Sequence, residues 1–132
     1  MTVFLDTSAI LAYLDEDAAQ HARVRQAWSS LRRVDCLIVT TNYVLVEASA
    51  VLQRRAGMAA ARTFFDAIVP LLEIHSVDDV TLDAAVQAWI GANRRDLRLV
   101  DIISFAVMRH EGLTRALTLD PHFAEQGFER LP

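Results

Sequence analysis

Short, nearly unbroken apolar runs alternate along this chain with longer stretches of helical period. Thr2-Val3-Phe4-Leu5 is the first such run, the pattern of a strand buried on both faces. Asp6-Thr7-Ser8 then supplies helix-start residues, and a helix is predicted through Leu14. Asp15-Glu16-Asp17 interrupts it, and a second helix is predicted from about Ala18 to Leu31. Leu37–Thr40 reads as a second buried strand, after which Thr41-Asn42 can cap a helix from about Tyr43 to Arg55, stopped by Gly57. A helix over Ala59–Ile68, a strand over Leu71–Ile74 and a helix over Val77–Ala92 follow, the last from the i, i+3, i+4 spacing of Leu82, Ala85, Val86, Trp89 and Ile90. After the polar stretch Asn93–Arg98, a helix is predicted over Val100–His110, ended by Gly112. Ala116–Leu119 is a fourth strand and Phe128–Leu131 a short fifth. Strands alternating with helices imply parallel pairing, with helices on both faces of the sheet. Ligands in such folds bind beyond the carboxyl ends of the strands, which is where Asp6 and Asp120 stand.

Composition narrows the class. A chain of 132 residues fits one domain spanning 1–132 and can bury roughly 65–70% of its unfolded surface. The apolar fraction of 53% agrees with a compact globule. Pro-, Gly- or Ser-rich linkers, internal repeats and apolar runs of about 18 residues are all lacking, so a membrane span is not expected. The apolar residues of Met1–Asp6 have no basic flank and do not read as a signal peptide. The single cysteine, Cys36, reads as a buried free thiol, which fits a reducing cytoplasm. The histidines His21, His75, His110 and His122 show no paired ligand spacing and read as ordinary structural or surface residues. A net charge of −4 excludes a simple basic nucleic-acid coat protein. It leaves room for a nuclease that holds cations with carboxylates.

Four acids carry the candidate chemistry. Taken singly, Asp6 and Asp101 are plausible helix caps, and Asp120 before Pro121 is a plausible turn starter. Glu47 is harder to explain away. It falls inside the apolar stripe of Val44, Ala48, Val51 and Leu52, where a carboxylate carries a desolvation cost unless something pairs with it. Asp101 has a similar context, with Ser104, Phe105 and Met108 at i+3, i+4 and i+7. Two acids facing inward from two helices, and two at strand ends, can meet at one point. There they repel, by about 4 kcal/mol per pair 4 Å apart at an effective dielectric of 20. A counter-cation relieves this, and oxygen ligands favour Mg²⁺ or Mn²⁺ over Zn²⁺. Acid-held hard cations serve mostly phosphoryl transfer and phosphodiester hydrolysis.

Four blocks then carry a family resemblance. Val3-Phe4-Leu5-Asp6-Thr7-Ser8, the stretch Thr41–Glu47, the stretch Leu99–Met108 around Asp101, and Ala116–Phe123 with Gly127-Phe128 resemble, in order, the acidic motifs of PIN-domain ribonucleases. The likeness is specifically to VapC-type toxins of type II toxin–antitoxin pairs, and it covers the whole chain. Val100 stands where that family usually carries Thr. The resemblance implies a three-layer α/β/α fold around a mainly parallel sheet of four to five strands. It further implies magnesium dependence, RNA as substrate, a homodimer and a cognate VapB-type antitoxin.

On that footing Asp6 and Asp101 are the expected principal metal ligands, with Glu47 and Asp120 completing the set directly or through water. Thr7, Ser8, Ser104 and Thr118 are candidates to orient carboxylates or water. Arg94, Arg95 and Arg98, just before Asp101, are the candidate RNA contacts. The implied reaction is in-line hydrolysis at an RNA phosphorus, leaving a 5′-phosphate and a 3′-hydroxyl. Alternatives stay open at this point. A haloacid-dehalogenase-type phosphatase or phosphotransferase wants a second Asp where Ser8 stands, and usually a Lys, of which the chain has none. A response-regulator-like receiver also expects a Lys. A catalytically silent PIN module that binds RNA or protein is the third alternative, although all four acids are present.

Overall fold

The computed structural model describes residues 1–132. Strand β1 (Thr2–Leu5) is followed by helices α1 (Thr7–Leu14) and α2 (His21–Arg33). Strand β2 (Leu37–Thr41) leads into the long helix α3 (Asn42–Thr63), and the chain winds on through a π turn (Phe64–Ile68) and a 3₁₀ turn (Val69–Leu71) to β3 (Glu73–His75). Helices α4 (Asp79–Ala92) and α5 (Leu99–His110), strand β4 (Arg115–Leu117), the one-turn helix α6 (His122–Glu125) and strand β5 (Glu129–Leu131) complete it. The sheet has five strands in the order β3-β2-β1-β4-β5, and every neighbouring pair is parallel. The fold is a three-layer α/β/α sandwich, and no helix is long and apolar enough to cross a membrane.

Strand β1 has helices on both faces, which explains its unbroken apolar run. Leu5 packs with Ala9, Ile10, Val24, Trp28 and Leu117 toward α1 and α2. Phe4 faces the other way, 6.3 Å from Phe123, which in turn sits 4.9 Å from Phe105 of α5. Cys36 is the expected buried free thiol.

Several elements differ from expectation, among them α2, which begins at His21 and not near Ala18. Strand β3 begins at Glu73, because Pro70 sits in a 3₁₀ turn over Val69–Leu71 that withholds Leu71 and Leu72 from the ladder. Strand β4 stops at Leu117, because just beyond it the backbone amides leave the ladder: Leu119 donates to the Ser8 hydroxyl and Asp120 to the Thr118 hydroxyl. Helix α6 was not expected; the turn at Asp120-Pro121 starts it. Gly57 stops the first helical stretch of α3 as expected: its φ of +83° and ψ of −179° are non-helical and natural to glycine, and a second helical stretch starts directly after it.

The strand order fixes where a site can form. From β1 the chain builds outward to β2 and β3 on one side, and to β4 and β5 on the other. The carboxyl ends of β1 and β4 therefore flank the topological switch point, where parallel sheets open a crevice.

Candidate active site

The end of β1 is locked from both sides. The Thr40 hydroxyl donates to the Leu5 carbonyl at 2.7 Å, and the Asp6 amide donates to the Leu117 carbonyl at 3.1 Å. Asp6 emerges directly opposite Thr118, buried, as the N-cap of α1. Its Oδ2 accepts from the Ser8 hydroxyl at 2.6 Å, the Thr118 hydroxyl at 2.9 Å and the Ser8 amide at 3.3 Å. Burial pushes the Asp6 carboxyl above the ordinary carboxylate value; those bonds pull it back in part, and the charge of Asp120 adds to the rise.

Helices α3 and α5 bring the second pair of acids together. Asp101, in the first turn of α5, is 2% exposed and accepts the Arg98 amide at 3.0 Å. Burial, opposed by that bond and by the Arg98 charge, raises its carboxyl to about 6. Glu47 projects from α3 beside it. The Arg98 guanidinium lies between the two, 3.4 Å from Glu47 Oε2 and 3.7 Å from Asp101 Oδ2. Burial works to lower the Arg98 pKa, but the charges of Glu47, Asp101, Asp6 and Asp120 outweigh it and the net shift is upward. All four acids therefore act on this one guanidinium. The remaining oxygens, Glu47 Oε1 and Asp101 Oδ1, are buried without any hydrogen-bond partner, as is Thr7 Oγ1.

The third group lies past β4. The Asp120 amide donates to Thr118 Oγ1 at 3.0 Å, and Asp120 Oδ1 accepts the His122 amide at 2.9 Å. That turn folds the His122 ring back over the acid: Nδ1 lies 2.7 Å from Asp120 Oδ1, although not directed along a hydrogen bond, and Nε2 lies 3.1 Å from Asp96 Oδ2. The Asp96 carboxylate, then Asp120, raises the His122 pKa and favours the imidazolium. Asp96 is itself held well below the usual carboxylate range, first by Arg94.

One oxygen each from Asp101 and Asp120 and one His122 ring nitrogen lie within 4.8 Å of one another, close enough to share an ion. Asp6 joins this group through Thr118, which donates to Asp6 and accepts from Asp120; Glu47 joins through Arg98. The hydroxyls of Ser8 and Thr118 donate to Asp6. Ser104 does not join them: its hydroxyl donates to the Val100 carbonyl at 2.9 Å, one turn back in its own helix. Among the arginines, Arg94 is committed to Asp96 and Glu125, Arg98 sits among the acids, and exposed Arg95 makes no ion pair. His122 is the residue the sequence reading passed over. The signal available was the Asp120-Pro121-His122 order, since an Asp that starts a turn bonds the amide two residues on.

Residues 3–129 match the family model described as "PIN domain". The chain is 35% identical over 129 residues to the 23S rRNA-specific endonuclease VapC20 of Mycobacterium tuberculosis strain H37Rv, with 96% of this chain and 95% of that one covered. The crystal structure of Mycobacterium tuberculosis VapC20, a Sarcin-Ricin loop cleaving toxin, superposes with a TM-score of 0.84 and 28% identity across 96% of this chain and 95% of that one. VapBC2 from Rickettsia felis bound to a promoter DNA fragment shares the fold, at a TM-score of 0.72 and 12% identity, with 98% of this chain and 97% of that one covered.

Proposed function

The chain belongs to the PIN-domain family, among its VapC-type toxins, and from that premise we propose that it is a Mg²⁺-dependent endoribonuclease that cuts structured ribosomal RNA. The observation that carries the metal is the pair of orphaned oxygens. Glu47 and Asp101 each give one oxygen to Arg98 and bury the other with no partner. An unpaired buried carboxylate oxygen is costly, and a hard divalent cation is the counter-charge that suits it. Asp6, Asp101, Glu47 and Asp120 would hold the ion, and Mn²⁺ suits the same oxygen donors. When bound, it would activate water and stabilise the leaving oxygen of a phosphodiester.

The chain's own residues divide the remaining work. Ser8 and Thr118 hold Asp6 with one oxygen engaged. His122 and its amide hold Asp120, and Asp96 holds His122 in turn. Arg98 neutralises Glu47 and Asp101, and with an ion held by these acids its guanidinium would be free to meet a phosphate. The likeness to an endonuclease named for 23S rRNA makes that RNA the proposed substrate. A VapB-type antitoxin and a second copy of the chain are the proposed partners.

The test is cleavage of 23S ribosomal RNA, and of a stem-loop with its sarcin–ricin sequence, with Mg²⁺ or with EDTA. The parent should cut with Mg²⁺ and leave a 5′-phosphate; EDTA and Asp6→Asn should each abolish cutting while the fold is retained. A parent inert on all RNA, or an Asp6→Asn protein as active as the parent, overturns the reading.

A further inference from the structure

The apolar stripe of α4 runs out into solvent. Ala85 is buried, but Trp89 and Ile90 further along the same stripe are 38% and 61% exposed. The Trp89 ring is nonetheless fixed, because its Nε1 donates to the Leu97 carbonyl at 2.9 Å. Asn93 adopts a left-handed conformation (φ +50°) that caps α4 and turns the chain back, so residues 94–97 lie beside the indole. Trp89, Ile90, Asn93, Arg94, Arg95 and Leu97 together line an open pocket of about 500 Å³. Its two cations differ. Arg94 is clamped by Asp96 and Glu125, whereas Arg95 is exposed and has no acidic partner. The clamp ties the pocket to the site: Arg94 contacts Asp96, Asp96 contacts His122, and His122 contacts Asp120.

We propose that this pocket is a subsite for an unpaired nucleotide of the RNA next to the bond that is cut, with the base stacked on Trp89 and its phosphate on Arg95. An immobilised aromatic ring beside a free cation is the combination that holds single-stranded nucleic acid without reading its sequence. The charge pattern favours RNA over a protein surface. A protein covering Arg95 must bring an acid to that one point, while RNA brings a phosphate at every nucleotide. The subsite rests on the ribonuclease reading, and adds to Arg98 a second grip on the substrate in a chain of net charge −4.

The experiment uses Trp89→Ala, Trp89→Phe and Arg95→Gln beside the parent, with the sarcin–ricin stem-loop carrying 2-aminopurine in its unpaired loop. Binding is read in EDTA by fluorescence quenching, and cleavage kinetics in Mg²⁺. Trp89→Ala should weaken binding about tenfold and abolish the quench, raising KM with kcat unchanged. Trp89→Phe should retain the quench in part, and Arg95→Gln should weaken binding and leave the quench intact. Arg95 is exposed, so its variant folds even if Trp89→Ala does not, and it tests the phosphate contact alone. A parent that cuts RNA beside variants with unchanged binding and KM overturns the subsite and leaves the nuclease standing. A parent that neither binds nor cuts RNA overturns both. Variants that lose self-association or antitoxin binding while RNA binding is intact show a protein contact, and overturn the subsite as well.

Discussion

Asp101 accepts an amide in the first turn of α5, Asp6 caps α1, and Asp120 starts the turn before α6, so three of the four acids do local backbone work as well as meeting one another. The cap reading and the metal reading of these residues are therefore not rivals at the level of structure; they part at the level of charge. Burial, ahead of all other causes, raises the Asp101 carboxyl to about 6, against about 3.9 in an unfolded chain. Because the folded value is the higher, protonation favours the folded state. That contribution is whole below about pH 4 and is lost as the pH rises through about 6. In the metal-free protein, Asp101→Asn and the parent should melt alike near pH 4. At pH 7.5 the variant should be the more stable, by on the order of 3 kcal/mol, with Mg²⁺ reversing the order. Melts that differ equally at both pH values would show that Asp101 acts only as a cap. Arg98 makes the complementary case. As the resident counter-cation of Glu47 and Asp101, its loss in Arg98→Gln should lower the metal-free Tm by a few degrees and enlarge the rise that Mg²⁺ produces. An unchanged Mg²⁺ shift would mean that ion and guanidinium do not compete. What could be read at this scale from the sequence was the acids themselves, since Glu47 violates an apolar stripe. The pairing of Arg94 with Glu125 and of His122 with Asp96 could not be read, because these partners lie 31 and 26 residues apart in the chain and side by side in space.

Most elements were legible because their signals are local: an apolar run for β1, hydroxyl and carboxylate caps for α1 and α3, and period for α4 and α5. The misses lie where a side chain far along the chain decides. Ser104 looks identical in sequence whether it turns toward Asp101 or back to Val100, and helix geometry favours the second. Trp89 and Ile90 continue a stripe that neighbouring elements cover only as far as Ala85 and Val86. Gly57 is a strong local signal that holds: one helical stretch stops there and a second begins directly after it. Nothing lies within 4 Å of a methyl group added there, yet its φ of +83° and ψ of −179° suit glycine alone. Gly57→Ala should therefore cost about 1–3 kcal/mol in a urea melt through backbone strain, with cleavage per folded molecule unchanged. A cost under about 0.5 kcal/mol would show that the kink relaxes into a straight helix.

At the scale of the molecule, five parallel strands place the acids at the switch point, and the helices cover both faces of the sheet. They do not cover everything apolar. Val46 and Met58 on α3, Phe65 in the turn that follows it and Leu71 before β3 are 67%, 57%, 44% and 41% exposed. They belong to one continuous run of chain between β2 and β3. Exposed apolar side chains are a common basis of twofold pairing, and this run is where the proposed second copy would close. The chain should therefore run at twice its 14.7 kDa mass in light scattering at micromolar concentration without antitoxin. Because closure is apolar, that mass should survive an increase from 0.1 M to 1 M salt, which shortens the screening length from about 10 Å to 3 Å. A monomer at low salt would refute the pairing. A dimer that dissociates at high salt would place it on charged side chains, away from the α3–β3 run.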